Sequence, residues 1–501
     1  MGISLNPSTI LSGQGIDVSS VVQQIIAGQS GELSVWQGQE STFATQNGVL
    51  EGINNDLTNL QTAVAALADP IGALAAQAAT SSDPGVLTAT ASGSAISGTH
   101  QIVVNNLATT GTLYTDPVAA GANVSFLSSG QTTGDIELQV GGATGTTHDI
   151  QITQGSNDTL TTLASYINTQ STANNWGVTA TVVSDANGSR LALQSQSSGS
   201  TGALAITNST ATNTTLTFDA PAGGSNASLN IDGVPFSSTT NTVSGAIQGV
   251  TLNLVSQSQS LLDPVQLTVG ADTGQITTAV NNFVSAYNTV ISTINSQYVV
   301  DPTGSIPAPP LEGDLSLRSL QSSLLADAGF ALPGATGGTV VNSGLVNLAS
   351  LGINMNNDGT LTVGSTPAGD VNTPGQTFGQ VLAANPSAVV NFFQNASATG
   401  FANAFNADLT NLTSPTQGPL NVELTQNQTE QADLTTTINN FEANITAETA
   451  QLTSQYEAVN ASLQQYPLLL QEITQTLGTL GSGTSSSGAL VSSGPTLTSG
   501  L

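Results

Sequence analysis

Basic residues are almost missing from this chain: Arg190 and Arg318 are the only two, there is no lysine, and 31 acidic residues leave a formal net charge of −29. Nucleic acid is thereby excluded as a partner, because phosphate binding requires clustered Lys or Arg to displace counterions. An anionic membrane surface is disfavoured on the same ground. Cysteine is absent too, which removes disulfides, thiolate nucleophiles and Cys-ligated metals. No run approaches the roughly 20 apolar residues that span a bilayer, so membrane insertion is not expected. The first twenty residues have neither a basic n-region nor a continuous apolar h-region and do not read as a secretory signal.

What is present is apolar and neutral-polar. Hydrophobic residues make up 38% and charged ones 7% of the chain, too apolar for bulk disorder, so Ser, Thr, Asn and Gln must supply the wet surface. The 501 residues allow about three domains.

Both ends read as long helices. After Asp17, an N-cap residue, a seam runs through Val18, Val21, Ile25, Leu33, Trp36, Phe43, Leu50 and Leu57 to Leu67, with Glu40 and Asn47 as polar members; Pro70 and Gly72 end it. Gly28, Gly31, Gly38, Gly48 and Gly52 weaken this helix, so it needs a partner. Near the other end a heptad pattern passes through Leu434, Ile438, Phe441, Ile445, Leu452, Tyr456, Val459 and Leu463, and continues past Leu470 and Leu477. Periodicity sustained over so many turns predicts a coiled coil. Asn427, Gln431 and Glu448 interrupt it, and Pro467 predicts a kink or break near Gln464–Tyr466.

Between the ends, short alternating runs punctuated by glycine predict strands, with hairpin turns at Asp185–Gly188 and Asp232–Gly233 and one helix around 159–169. The expected fold class is a multidomain α+β protein, with a coiled-coil leg built from both chain termini and inserted β-rich head domains. The expected divisions are a helical leg segment at 1–79, a connecting β segment at 80–115 and one or two β-rich head modules at 116–260. A return to the leg with a short β unit follows at 261–415, then the coiled coil at 416–480 and a Gly/Ser/Thr tail at 481–501.

No constellation with catalytic, metal-binding or cofactor-binding character emerges. His100 and His148 lie in strand-like contexts, each better read as structural. Arg318 is expected to pair with Asp314. Asp185 and Asn187 open like a calcium loop, but Arg190 and Gln196 occupy positions that require Gly and an acid, so a turn is the better reading. The protein is expected to be structural, not an enzyme, and to need no cofactor.

Several segments, in order, resemble those of the bacterial flagellar filament cap family, also called hook-associated protein 2. They are Gly13–Asp17, Gly98–Ala108, Asn187–Leu193, Asn241–Val243 with Gly249–Leu252, Phe283–Asn288, Leu311–Asp314 with Leu317–Arg318, Leu351–Ile353 and Asp358–Leu361. The resemblance implies a homo-oligomer, usually a pentamer, at the filament tip, retaining flagellin until it folds and inserts. It also implies secretion by the flagellar type III apparatus, and an export chaperone and hook–filament junction proteins as further partners. The apolar seams of the two terminal helices are then expected to serve assembly. An extracellular adhesin and another flagellar axial protein are the competing readings.

Overall fold

The computed structural model describes residues 16–481 except 208–212, 220–221, 261–262, 306, 333–344, 368–374 and 396. The opening of the Gly13–Asp17 segment and the expected tail beyond 481 therefore lie outside the described residues. In chain order the elements are α1 (Val18–Ala68), β1 (Gln77–Ser81), β2 (Leu87–Ala91), β3 (Gly98–Asn106), β4 (Thr110–Tyr114), β5 (Thr133–Val140) and β6 (Thr146–Thr153). Next come α2 (Leu160–Asn174), β7 (Val178–Asp185), β8 (Gly188–Ser198), β9 (Leu204–Ile206), β10 (Ala227–Ile231), β11 (Val234–Ser238), β12 (Thr242–Ile247), β13 (Val250–Leu254) and β14 (Val265–Ala271). The chain then forms α3 (Thr273–Ser296), α4 (Leu315–Ala328), β15 (Ile353–Met355), β16 (Leu361–Val363), α5 (Phe378–Ala384), α6 (Pro386–Phe393), α7 (Phe401–Leu412) and α8 (Pro419–Gly481).

These elements divide between two compact units. The first joins the described residues of 1–58, 289–324 and 409–501; the second joins those of 59–288 and 325–408. In the first, the buried apolar side chains include Leu50, Ile53 and Leu57 of α1, Val290, Ile291 and Ile294 of α3, Leu317, Leu320 and Leu324 of α4, and Leu420 of α8. Polar contacts fasten the same helices: Thr293 donates to Asp56 at 3.1 Å and Gln321 donates to Asn295 at 2.7 Å.

The second unit holds two β cores. One packs the antiparallel sheet β1-β14-β3-β10-β11 with the sheet β12-β13-β2. Its turn at Asp232 and Gly233, both at positive φ, joins β10 to β11 through the pair Ile231 and Val234, the geometry that a two-residue Asp-Gly hairpin favours. The other core packs β4-β8-β7 and β6-β5-β9 with α2, burying Leu160, Leu163 and Ile167. A Thr159–Thr162 capping box starts α2 and Asn175, in the left-handed region, ends it. The expected divisions at 115 and 260 cut across these cores. β2 and β3 pair with β13, β10 and β14, so residues on both sides of 110–218 share one core and that stretch is the insertion. Alternation marks a strand but does not name its partner.

The helical remainder of this unit is aromatic. Phe283 lies edge-on to Phe401 at 5.4 Å, and Phe392 stacks on Phe401 at 5.6 Å. Pro386 starts α6 behind an Asn385 cap, as its fixed φ favours.

Candidate assembly surface

The start of α1 follows from Asp17, whose carboxylate accepts from the Ser20 N–H at 3.2 Å and the Ser19 hydroxyl at 2.8 Å. These bonds hold its carboxyl below the usual carboxylate range, the serine hydroxyl contributing most.

From there α1 and α8 run antiparallel in one unbroken register. The Ile16 N–H donates to Asn460 Oδ1 at 2.7 Å, Gln29 to Glu448 at 3.2 Å and Gln37 to Glu442 at 3.2 Å. Farther along, the Thr435 hydroxyl donates to Glu40 at 2.5 Å, Asn47 Nδ2 to Gln431 at 2.9 Å and Gln428 to Glu51 at 3.3 Å. Residue numbers rise on one helix as they fall on the other. Ordinary coiled coils set register with Lys–Glu pairs flanking the seam; a chain without lysine uses amide–carboxylate and amide–amide bonds. Four of the five polar interruptions meet partners across the seam: Glu40 meets Thr435, Asn47 and Gln431 meet each other, and Glu448 meets Gln29.

The seam residues expected from the sequence occupy three environments. Leu50 and Leu57 are fully buried, and Val21 and Ile438 nearly so. Val18, Ile25, Leu33, Trp36 and Phe43 of α1 are half-buried, as are Leu434, Phe441, Ile445, Leu452, Tyr456 and Leu463 of α8. Trp36 meets Phe441 edge to face at 5.1 Å, the arrangement favoured by the ring quadrupoles. Val459 departs from expectation at 48% exposed, and its neighbour Asn460 accepts the Ile16 N–H instead. A straight helix drifts about 20° per heptad, which carries a strict seven-residue pattern off the contact line.

Of the kink or break expected near Pro467, a break is not formed, since α8 remains helical to Gly481 with the proline inside. Only one backbone bond is forfeited, and the following Leu468, Leu469 and Leu470 are good helix formers. Here α8 carries an uncovered apolar stretch: Tyr466, Leu468, Leu469, Leu470, Ile473 and Leu477 are 48–66% exposed. On α1 a Cβ added at Gly28, Gly31, Gly38, Gly48 or Gly52 would meet open space, so no packing against the described residues requires these glycines.

The isolated polar residues are structural in their contacts. His100 Nδ1 lies 2.7 Å from Asp232 Oδ2. His148 stacks on Trp176 at 4.7 Å, and burial lowers its pKa. Arg190 pairs with Asp219 at 3.8 Å. The expected Arg318–Asp314 pair is not formed: Arg318 sits over the Tyr298 ring, 5.8 Å from its centroid. Asp314 instead caps α4, accepting from the Leu317 N–H at 2.9 Å. Among the described residues, no group of three metal-ligating side chains gathers, and no helix is long and apolar enough to cross a membrane.

The first and last described helices paired in one helical unit, with β cores and an inserted module between them in sequence, have the mixed α+β architecture of the flagellar cap class. A family model described as the flagellar hook-associated protein 2 N-terminus matches residues 14–111, and one described as its C-terminus matches residues 224–467. The chain belongs to the flagellar hook-associated protein 2 family. It is 29% identical over 347 residues to the B-type flagellar hook-associated protein 2 of Pseudomonas aeruginosa, covering 65% of this chain and 69% of that protein. To the flagellar hook-associated protein 2 of Escherichia coli it is 28% identical over 365 residues, covering 69% and 73%. Its fold is similar to the crystal structure of the D1-D2-D3 domains of the E. coli flagellar cap protein FliD. The TM-score is 0.52 at 23% identity, over 76% of this chain and 99% of that one.

Proposed function

We propose that this chain assembles with copies of itself, as a pentamer, into the cap at the distal end of the flagellar filament, outside the cell. There it retains arriving flagellin until each subunit folds and inserts. In this reading it leaves the cell through the flagellar type III apparatus with an export chaperone, meets the hook–filament junction proteins before elongation, and carries out no chemistry. The observation that carries the reading is the uncovered apolar stretch Tyr466–Leu477 on α8 in a member of a filament-cap family. Apolar area left in water on a folded unit contributes about 25 cal/mol per Å² once a partner covers it. The glycines of α1 fit the same account, because a face without side chains lets a neighbouring helix approach closely.

The test is a strain lacking the gene, with and without its restoration. Flagellin monomers accumulating in the medium while filaments are missing, reversed by restoration, is the expected result. Filaments of normal length and number without the gene would overturn the proposal.

A further inference from the structure

The uncovered stretch of α8 combines a helix seam with a single charge. Tyr466, Leu470, Ile473 and Leu477 follow one another by four, three and four residues, so they line one face of the helix, and all four are exposed. Residues three and four apart are neighbours on a helix surface. Glu472 therefore stands beside Leu468 and Leu469 at the border of that face, exposed as they are. It is the only charged side chain among residues 458–501. A helix laid on the four seam residues meets one carboxylate at its rim and no cation.

This chain has no cation to spare for that carboxylate. Its two arginines are both held by other residues of the chain. Arg190 lies 3.8 Å from Asp219, donates to the Thr115 carbonyl at 3.4 Å and sits 6.0 Å from the Tyr114 ring centroid. Arg318 sits over the Tyr298 ring. His100 is held by Asp232, and His148 is stacked on Trp176. A second copy, or any other segment of this chain, would bring to Glu472 only neutral or acidic side chains. Copies that each carry −29 also repel at long range. Apolar contact discriminates little between partners, whereas a charge flanking the seam selects the opposite charge.

We propose that Tyr466–Leu477 docks a helix of a different protein, which lays apolar side chains on the seam and sets a Lys or Arg against Glu472. The inference rests on the cap reading, in which this stretch is covered on assembly, and adds the chemistry of what covers it. Glu472 then decides between partners: it accepts a basic helix and turns away a second copy of this chain.

The test uses the full chain and two synthetic helical peptides that share a leucine seam and differ only in whether Lys or Glu flanks it, with binding read by fluorescence anisotropy. The Lys peptide should bind about fivefold tighter, the scale of one rim ion pair. Glu472→Gln should abolish that preference. Glu457→Gln removes the same charge from an exposed position before the stretch and should keep it. Equal preference in the two variants would assign the effect to the net charge of the chain and overturn the proposal, as would failure of both peptides to bind. Sedimentation of the full chain alone tests the rejected occupant. Self-association should be the same in wild type and Leu470→Ser; its loss in Leu470→Ser would give the stretch to a second copy and overturn the proposal. The cap reading is judged apart from this by the deletion strain: filaments cured by restoration, with neither peptide bound, would remove the proposal and leave that reading standing.

Discussion

Asn288 treats Leu361 as a neighbouring strand would: its Nδ2 donates to the Leu361 carbonyl at 2.7 Å and its Oδ1 accepts the Leu361 N–H at 2.6 Å. Two of the sequence segments that resemble the cap family, 283–288 and 358–361, therefore touch, and one side chain makes the contact. Leu361 is buried, so losing the amide leaves two backbone groups unpaired. Asn288→Ala is expected to destabilise by about 2–3 kcal/mol, the order of two lost bonds with a desolvation penalty, read by chemical denaturation.

The Trp36–Phe441 contact should be worth more than its area. A double-mutant cycle with Trp36→Ala and Phe441→Ala is expected to give a coupling of about 0.5–1.5 kcal/mol, the range for edge-to-face rings. Additive single losses would mean that the rings only fill space.

Salt provides a separate test of how the helices are held. The α1–α8 register rests on amide and carboxylate groups without a single Lys or Arg, while the whole chain carries −29. Screening has no seam ion pairs to weaken and a large self-repulsion to relieve. Melting temperature should rise as sodium chloride is added at neutral pH; a fall would contradict the account.

Acid weakens the His100–Asp232 contact. The hydrogen bond from His100, with the Gln101 N–H, holds the Asp232 carboxyl below its ordinary value. A carboxyl so lowered stabilises the fold above its unfolded pKa of about 4, and that contribution is lost as pH falls through its folded value. Compared with wild type, Asp232→Asn should show a smaller loss of melting temperature below about pH 4.

Much of this architecture is legible in the residue order, and the parts that are not share a cause. The α1 and α8 seams, the Asp232–Gly233 turn and Pro386 at the start of α6 are local signals, each decided within a few residues. Long-range choices leave no such mark. Nothing near Arg318 announces that Tyr298, not Asp314, receives it. Val459 fits the heptad in sequence, yet accumulated helical drift turns it outward. α7 leaves little trace in the sequence because Phe401, Phe405 and Leu409 make only two turns of pattern, although all three are buried.

Pro467 is a quieter prediction. The proline leaves the Leu463 carbonyl without its helical N–H, so Pro467→Ala should strengthen the end of α8 by up to about 3 kcal/mol. Slower amide exchange across residues 464–479 would register it, with no change expected in the β cores.

The central claim is that this chain sits at the growing end of the filament. Gold-labelled antibody against the full chain, viewed on intact flagella by electron microscopy, tests it most directly. The account predicts label at the distal tip of each filament and none along its length. Label confined to the hook junction, or spread along the filament, would contradict it.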